Sequence, residues 1–233
     1  MNFENKLIPG VFLKRYKRFF VDIKVENKVI TAHCPNSGSM MGLLKLGNKV
    51  WITKSDNPNR KLKYTLQIIE VQNSKVGVNT HFTNKIVDHA LKNNILKHFS
   101  NKVTIQREKV FNKNTRFDFF LQEKKEKIFL EVKNVTLKRK DDLAEFPDSV
   151  TLRGTKHIKE LINAKKRGFK AVLMFVIQRD DCNKFKVAED IDPEYSKILK
   201  IAIKQKVKIV CYDCKFSSKG IKLNKEIKIL ING

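Results

Sequence analysis

The sequence predicts two structural parts, an N-terminal all-β domain over residues 1–80 and a C-terminal mixed α/β domain over residues 81–233. Three observations support this division. Residues 1–80 contain about five short β-rich segments separated by turn residues, and no convincing helix. From residue 81 onward, segments with helical periodicity alternate with β-rich segments. The chain length of 233 residues is sufficient for two such units.

The predicted strands of the first domain have the spacing of a small barrel. They cover residues 11–25, 28–34, 49–55, 62–71 and 75–78. Turn residues such as Gly47-Asn48 and Asn57-Pro58-Asn59 separate these segments. A five-stranded OB-like barrel is one candidate among several folds for this pattern.

The second domain shows the element order αβββαβ, followed by a further helix and further strands. Its first helix is predicted over residues 84–99 with Thr83 as the N-cap, and Asp192-Pro193 opens its last helix. The other predicted elements are strands at 103–111, 116–121 and 127–133, a helix at 150–167, a strand at 170–177, a helix at 193–206, and strands at 207–212 and 221–230. This order is typical of helices packed on a mixed sheet.

The chain is strongly basic, with 49 Lys and Arg residues against 24 Asp and Glu residues and a formal net charge of +25. Because both predicted domains share this excess, we expect a nucleic acid or another acidic partner. The longest purely apolar run, residues 171–177, is too short to cross a bilayer, so no membrane partner is expected. Four Cys residues are too few for a disulfide framework, and the first residues carry no secretory signal. We therefore expect a soluble cytoplasmic protein with reduced thiols.

One predicted hairpin gathers the residues best suited to chemistry. Because side chains alternate between the two faces of a strand, one face is expected to be apolar and the other to carry Asp118, Glu131 and Lys133. The expected apolar face consists of Phe117, Phe119, Leu121, Ile128, Leu130 and Val132. If the turn is centred between Lys124 and Lys125, Asp118 lies directly opposite Glu131.

Two carboxylates at that separation repel each other unless a cation lies between them or one is protonated. Mg²⁺ or Mn²⁺ is the expected cation, since both prefer oxygen ligands and leave positions for water and phosphate. Lys133 is suited to orienting a water molecule against a phosphodiester. Glu108 is a candidate third carboxylate at the edge of the site. The alternative interpretation is a solvated strand face with an ordinary cross-strand charge pair.

The spacing of Asp118, Glu131 and Lys133, written Asp–x12–Glu–x–Lys, is that of the PD-(D/E)xK nuclease superfamily. The αβββαβ order predicted for this part of the chain is the core topology of that superfamily. Together they favour a restriction-endonuclease-like domain with the three residues in a catalytic role.

Basic and aromatic side chains are candidates for contacting nucleic acid, since cations follow phosphates while rings stack on bases. Arg153 and His157 are four residues apart and therefore share one face of a predicted helix beside the hairpin. The complete candidate set is Arg15, Tyr16, Lys17, Arg18, Arg116, Arg153 and His157. The alternatives are a barrel strand with Tyr16 in the core, and an exposed Arg153 beside a partly buried His157.

These motifs together resemble the sugar fermentation stimulation protein family over nearly the whole chain. The matching stretches are Arg15–Phe19, His33–Gly38 with Met40, Asp56-Asn57, Arg60-Lys61, Val78–Thr80, Arg116–Phe119, Glu131–Leu137, Phe146–Thr151, Arg153-Gly154, Lys156-His157, Asp192-Pro193 and Tyr195. The resemblance implies an N-terminal OB-like domain, a C-terminal PD-(D/E)xK-like domain and DNA binding. Compared with the enterobacterial form, Leu152 replaces a Glu and Thr155 replaces a Gln, so any help from those polar side chains is absent.

We therefore expect a DNA-binding protein with a Mg²⁺-dependent nuclease-like site formed by Asp118, Glu131 and Lys133. Two alternatives remain open: a non-catalytic DNA-binding regulator of sugar metabolism genes, and an RNA-binding or RNA-processing factor. DNA is favoured over RNA as the partner. The sequence leaves the oligomeric state open, a homodimer included.

Overall fold

In the computed structural model, which describes residues 1–100 and 102–230, the chain begins as a sheet that curls into a barrel. Its strands are β1 (Ile8–Tyr16), β2 (Phe20–Val25), β3 (Lys28–His33), β4 (Lys49–Lys54), β5 (Tyr64–Val71) and β6 (Ser74–Gly77). The strand order is β3-β2-β1-β4-β5-β6, and pairing of β3 with β5 closes the first five strands. The predicted OB-like barrel is thereby confirmed.

The predicted run over residues 11–25 is two strands rather than one. Lys17 and Arg18 both have positive φ values, 44° and 64°, and form the turn between β1 and β2. Hairpin turns commonly need such backbone angles, and Gly or Asn usually marks them in a sequence. Neither residue type is present here, so the alternating pattern concealed the turn. Lys17 and Arg18 consequently lie on a turn and not on a strand.

Arg15, at the end of β1, is bound to backbone rather than exposed. Its Nη2 atom donates to the carbonyl oxygen of Asn36 at 2.7 Å, and its Nη1 atom donates to that of Gly38 at 3.0 Å. Its Nε atom donates to the carbonyl oxygen of Arg18 at 2.7 Å. The guanidinium therefore joins the β1–β2 turn to the segment after β3. A role for Arg15 in nucleic-acid binding stays a prediction.

Replacing Arg15 by Ala should destabilise the protein, because these carbonyl groups lose their hydrogen-bond donors. We expect the free energy of unfolding to fall by about 1–3 kcal/mol. Urea unfolding measures the change. Arg18→Ala is the matched control, since its exposed side chain makes no hydrogen bond among the described residues. Equal stability of the two variants would contradict this role of Arg15.

The second domain contains three helices and ten strands among the described residues. In chain order these are α1 (His81–Lys92), β7 (Thr104–Asn112), β8 (Thr115–Glu123), β9 (Glu126–Val135), β10 (Leu137–Lys140), β11 (Leu143–Phe146), α2 (Leu152–Lys166), β12 (Lys170–Ile177), β13 (Lys184–Val187), α3 (Pro193–Lys204), β14 (Lys208–Phe216), β15 (Ile221–Glu226) and β16 (Lys228–Leu230). The main sheet has the order β15-β14-β12-β9-β8-β7. It is mixed, since β12 runs parallel to β9 and β14 while the β7–β8–β9 segment is antiparallel. The predicted α/β architecture is confirmed.

Both faces of the main sheet are buried. Helices α2 and α3 cover one face, where Phe120, Phe129 and Leu173 pack, and α1 covers the other, where Leu121 and Leu130 pack. The prediction that only one face of the hairpin is apolar is therefore incomplete, since part of the opposite face is apolar as well. Charged side chains are confined to the two ends of the hairpin, the turn at one end and the region of Asp118, Glu131 and Lys133 at the other.

The first helix begins earlier and ends earlier than predicted. It covers His81–Lys92, with Thr80 rather than Thr83 at its N-cap position. Thr83 is buried, and its hydroxyl group donates to Oδ1 of Asn134 on β9 at 3.2 Å. The side chain of Thr83, which the sequence predicted as the helix cap, thus makes a tertiary contact instead. None of the helices in the described part of the chain has the length and apolar character needed to cross a membrane.

A second, small sheet was not predicted from the sequence. It has the order β10-β11-β13-β16, with strands of three or four residues. Such strands are too short for an alternating pattern, and β10 reads Leu-Lys-Arg-Lys. The predicted strand over residues 221–230 also divides, into β15 of the main sheet and β16 of the small sheet.

The barrel contacts the second domain through Asp148, which follows β11. Its carboxylate accepts hydrogen bonds from the Ser39 hydroxyl group and the Met40 N–H, each at 3.1 Å. A Cβ atom on Gly38 would lie 2.7 Å from the same carboxylate, so only glycine leaves room for this approach. The segment fixed by Arg15 is therefore also the segment that contacts the second domain.

Candidate active site

The two strands that carry the predicted catalytic residues pair in the predicted register. Glu123 lies opposite Glu126 next to the turn, and the ladder continues up to Phe119 opposite Leu130. It ends there, one position before Asp118. Asp118 therefore approaches β9 through its side chain, at the end of the hairpin remote from the turn.

One residue of the predicted apolar face lies on the other side of the sheet. Phe119 packs on the α1 side, whereas Phe117 packs on the α2 side and contacts the ring of Phe129. The change of side occurs at Asp118, whose Oδ2 atom accepts a hydrogen bond from the N–H of Val132 at 2.8 Å. This side chain-to-backbone bond interrupts the regular alternation, which a count of positions cannot reveal.

Asp118 is held on two sides and mostly removed from water. Besides the bond from Val132, its Oδ1 atom accepts a hydrogen bond from Nδ2 of Asn84 on α1 at 2.8 Å. Burial, together with the negative charge of Glu131, raises the pKa of Asp118 to about 6. The two hydrogen bonds and the positive charge of Lys133 act to lower this pKa but do not outweigh burial and Glu131.

Glu131 is almost completely buried, at 2% exposure, and carries its own positive partners. Its Oε1 atom accepts a hydrogen bond from Nζ of Lys133 at 2.7 Å and another from Nδ1 of His157. Burial acts to raise the pKa of Glu131, but Lys133 and His157 outweigh it and hold the pKa below its ordinary value. Glu131 is thus ionised, with a countercharge from its own strand and a second partner on α2.

Two buried oxygen atoms at this site have no hydrogen-bond partner among the described residues. They are Oε2 of Glu131 and the hydroxyl oxygen of Tyr195 on α3. The charge of Glu131 contributes, after burial, to raising the pKa of Tyr195. Glu131 therefore keeps one oxygen atom whose hydrogen-bonding capacity is unused among the described residues.

His157 reaches Glu131 because α2 is fixed at its first turn. Thr151 is the N-cap, and its hydroxyl oxygen accepts a hydrogen bond from the Gly154 N–H at 3.1 Å. The carboxylate of Asp192 accepts from the N–H of Thr151 at 2.8 Å and from the N–H of Tyr195 at 2.9 Å. A single carboxylate therefore holds the first turns of α2 and α3 together.

An open cleft of about 660 Å³ lies against this cluster. Asp118 and His157 line it, whereas Glu131 and Lys133 lie behind them and do not. Its other charged lining residues are Glu108, Lys113, Arg116, Arg153 and Lys156. Among the described lining residues, positive charges therefore outnumber the carboxylates of Glu108 and Asp118. The predicted residues Arg116, Arg153 and His157 are brought together with Asp118.

Glu108 lies at the same cleft but does not join the carboxylate cluster. Its side chain is exposed and forms an ion pair with Nε of Arg116 at 2.8 Å. A direct catalytic role for Glu108 stays a prediction. The ion pair gives the residue a simpler function, which is to hold the guanidinium of Arg116 at the edge of the cleft.

The candidate nucleic-acid residues of the barrel lie apart from this cleft. The ring of Tyr16 stacks on Phe20 with 5.6 Å between ring centroids, and its hydroxyl group donates to Asp22. Arg18 lines a second cleft of about 490 Å³, between the two domains, and that cleft also includes Arg153. Arg18 and Arg153 thus share one cleft, while Arg153 also borders the cleft at Asp118.

Sequence reasoning did not identify the roles of three residues at the site. Asn84 follows the expected cap Thr83, and no motif distinguishes it from other exposed polar residues of a helix. Asp192 was recognised as a helix-opening residue, but its bond to the start of α2 depends on tertiary packing. Tyr195 belongs to a stretch that matches the family, which is the only signal that could have identified it.

Asp118 and Glu131 are the residues that could hold a divalent cation. Within residues 1–100 and 102–230, no three His, Cys, Asp or Glu side chains form a ready cage for a metal ion. Mg²⁺, however, usually binds one or two carboxylates and completes its shell with water and phosphate. The raised pKa of Asp118 and the unpartnered Oε2 of Glu131 fit such an ion. Lys133 and His157 occupy the other oxygen of Glu131.

The stability of the metal-free protein should depend on Asp118 in a pH-dependent way. The pKa is about 6 in the folded state against an ordinary value of 3.8, so the folded state binds this proton more tightly. The resulting stabilisation is fully present below about pH 4 and is lost as pH rises through about 6. Relative to Asp118→Asn, wild type should lose on the order of 3 kcal/mol between pH 4 and pH 7.

Urea unfolding of both proteins in EDTA from pH 4 to pH 8 tests this expectation. The amide group of the Asp118→Asn variant has one oxygen atom and cannot accept both hydrogen bonds that the carboxylate accepts. This loss changes the stability of the variant by a constant amount at every pH. A difference between the two proteins that stays constant from pH 4 to pH 8 would contradict the raised pKa.

Comparison with known proteins assigns both domains to one family. Residues 13–78 match the SfsA N-terminal OB domain, and residues 81–220 match the Sugar fermentation stimulation protein RE domain. The chain is 53% identical over 230 residues to a Sugar fermentation stimulation protein homolog of Pelagibacter ubique (strain HTCC1062), covering 99% of each chain. It is 39% identical over 226 residues to a homolog of Geotalea daltonii, covering 97% of each chain.

A solved structure shows the same overall arrangement. It is described as the structure of Pyrococcus furiosus SfsA in complex with Ca²⁺, and it matches with a TM-score of 0.89 and 26% sequence identity. The match covers 99% of this chain and 98% of that one. With both domains matched and relatives similar over their full length, the chain belongs to the sugar fermentation stimulation protein (SfsA) family.

Proposed function

We propose that this protein binds DNA and hydrolyses phosphodiester bonds with a divalent cation at the cluster of Asp118, Glu131 and Lys133. One observation carries the proposal. Two neighbouring strands bring two carboxylates and an ammonium group together beside an open cleft that is edged with cations. Phosphodiester hydrolysis needs this combination, because a developing negative charge must be stabilised next to a positioned water molecule.

The cation we propose is Mg²⁺ or Mn²⁺, with Asp118 and Glu131 as its protein ligands. The Pyrococcus furiosus SfsA described as a complex with Ca²⁺ supports divalent-cation binding in this family. When bound, such a cation would polarise the scissile phosphate and compensate the charge that develops on it. It would also compensate the mutual repulsion of the two carboxylates.

The remaining roles follow from the contacts of each side chain. Lys133, only 13% exposed, now donates to Glu131, and the same ammonium group can donate to a water or phosphate oxygen instead. Asn84 keeps Asp118 in place through its amide group. Arg116, Arg153 and Lys156 contribute positive charge where a strand of DNA would cross the cleft.

Two substitutions should separate metal binding from cleavage. A metal that binds only the folded state stabilises it by about 2.7 kcal/mol at 100 times its Kd, visible as a rise in Tm. Wild type should show this rise with millimolar Mg²⁺ or Mn²⁺ relative to EDTA. Asp118→Asn should lose most of the rise and all cleavage. Lys133→Ala should keep the rise but lose cleavage, because Lys133 acts on the water and not on the ion.

The assay uses plasmid DNA, single-stranded DNA and RNA as separate substrates, each with metal and with EDTA. Lys127→Ala is the matched control, since Lys127 is an exposed lysine at the other end of β9. Absence of a metal-dependent Tm shift in wild type, or a full shift in Asp118→Asn, would refute the metal site. Cleavage of RNA alone would identify RNA instead of DNA as the substrate. DNA binding without cleavage would favour the alternative of a non-catalytic DNA-binding regulator.

DNA binding can be measured in EDTA, where the proposed metal-dependent cleavage does not occur. Because the net charge is +25, the logarithm of the affinity for duplex DNA should fall linearly with the logarithm of salt concentration, with a slope of about −0.9 per phosphate contacted. Lys156→Gln should reduce the slope by about one contact. Lys219→Gln, an exposed lysine in the turn between β14 and β15, should leave it unchanged. A salt-independent affinity would rule out phosphate contacts as the basis of binding.

A further inference from the structure

A third polar cleft, of about 520 Å³, lies between the barrel and the start of α1. Strands β4 and β5 form its base, and the segment of residues 55–63 between them forms part of its edge. It shares no lining residue with the cleft at Asp118 or with the cleft between the domains. Its residues include His33 and Arg60, which the family resemblance singled out but the proposed nuclease site does not use.

The base of this cleft is a buried network of polar side chains. Nε2 of Gln67 donates to the hydroxyl oxygen of Thr53 at 2.7 Å, and Nδ2 of Asn79 donates to Oε1 of Gln67 at 2.8 Å. Both amide groups are more than nine-tenths buried. Each amide nitrogen carries two hydrogens, of which the described residues use one. Each of the two amide groups, both of which line the cleft, therefore keeps one donor hydrogen without a partner among the described residues.

Positive side chains surround this base. Arg60 is partly buried, and among the described residues its guanidinium forms no ion pair and only a 3.5 Å contact with Nδ1 of His33. Burial, followed by the charges of Arg60 and His81, lowers the pKa of His33. Lys85 at the same cleft is already paired with Glu4 at 2.8 Å. Among the partly buried side chains of the cleft, Arg60 therefore brings a positive charge with no ion-pair partner in the described part of the chain.

The remaining lining residues include one more acid and two apolar groups. Asp56 is exposed, while Lys54 supplies a further positive charge. Phe82 and Pro35 add apolar surface. The cleft thus combines an unpaired guanidinium, spare amide donors and a ring, within the volume range of ordinary small-molecule sites.

We propose that this cleft binds a phosphomonoester, carried by a free mononucleotide or by the phosphorylated end of a nucleic-acid strand. A terminal phosphate has close to two negative charges and three acceptor oxygens, so it can engage Arg60 and the amide donors together. An internal phosphodiester has one charge and fewer free oxygens. Arg60 is suited to the fork-like pairing that phosphate allows.

Binding in EDTA tests the proposal independently of any cleavage. The probes are a short single-stranded DNA labelled at an internal base, with a 5′-phosphate, a 3′-phosphate or hydroxyl groups at both ends, together with dAMP and inorganic phosphate as competitors. Wild type should bind one phosphorylated form about tenfold more tightly than the hydroxyl form. Arg60→Gln should abolish this preference. Lys61→Gln removes the same charge from the neighbouring exposed residue and should preserve it.

A second variant, His81→Gln, should weaken the preference. It tests the cleft independently of whether Arg60→Gln folds correctly. Preference for a phosphorylated end, without competition by dAMP, identifies the strand end as the ligand. Binding of dAMP without any end preference identifies the free nucleotide. Equal binding of all strands with no binding of dAMP would overturn the proposal, as would a preference that Arg60→Gln retains. Failure of the metal-dependent assays would leave each of these outcomes unaffected.

Discussion

The buried carboxylate of Glu131 is the constraint on which the arrangement of the second domain depends. An ionised carboxylate removed from water costs several kcal/mol unless positive partners and hydrogen bonds compensate it. Lys133 supplies one partner from the same strand, and His157 supplies the other from α2. The position of α2 is therefore tied to the charge of the site. Gly154 lets α2 pack closely on α3, because a Cβ atom at this position would come within 3.1 Å of the ring of Tyr195.

A second carboxylate contributes to the contact between the two domains. Asp148 accepts hydrogen bonds from the segment after β3, and Arg15 binds the backbone of that segment from the barrel side. Together with the backbone hydrogen bond from the Gly77 N–H to the carbonyl oxygen of Gln178 at 2.8 Å, this contact holds the barrel against the second domain. The cleft with Arg18 and the cleft at Asp118 meet at Arg153, next to the start of α2. The OB domain thus contributes surface next to the candidate active site instead of acting as a separate module.

The sequence predicted the elements that have strong local patterns. The register of β8 and β9 followed from a count of residues to the turn, and strand β12 follows a continuous apolar run. The predicted face of Phe117 was wrong because the side chain of the next residue, Asp118, accepts a hydrogen bond from the backbone N–H of Val132. The contact of Asn84 with Asp118 could not be predicted, since it joins α1 to β8 across 34 positions of the chain. Local patterns describe single strands and helices, whereas these contacts arise only when the elements pack.

The carboxylate of Asp192 has a consequence for how the second domain opens. It accepts hydrogen bonds from the first turns of both α2 and α3, so neither helix start can fray without leaving a polar group of the other unpaired. The two helices should therefore behave as one cooperative unit and exchange their amide hydrogens together. His157 belongs to that unit, while Asp118 and Glu131 belong to the central sheet. The candidate active site is thus built across a helical unit and the central sheet, so a brief opening of the helical unit alone would separate His157 from Glu131 while the strands remain paired.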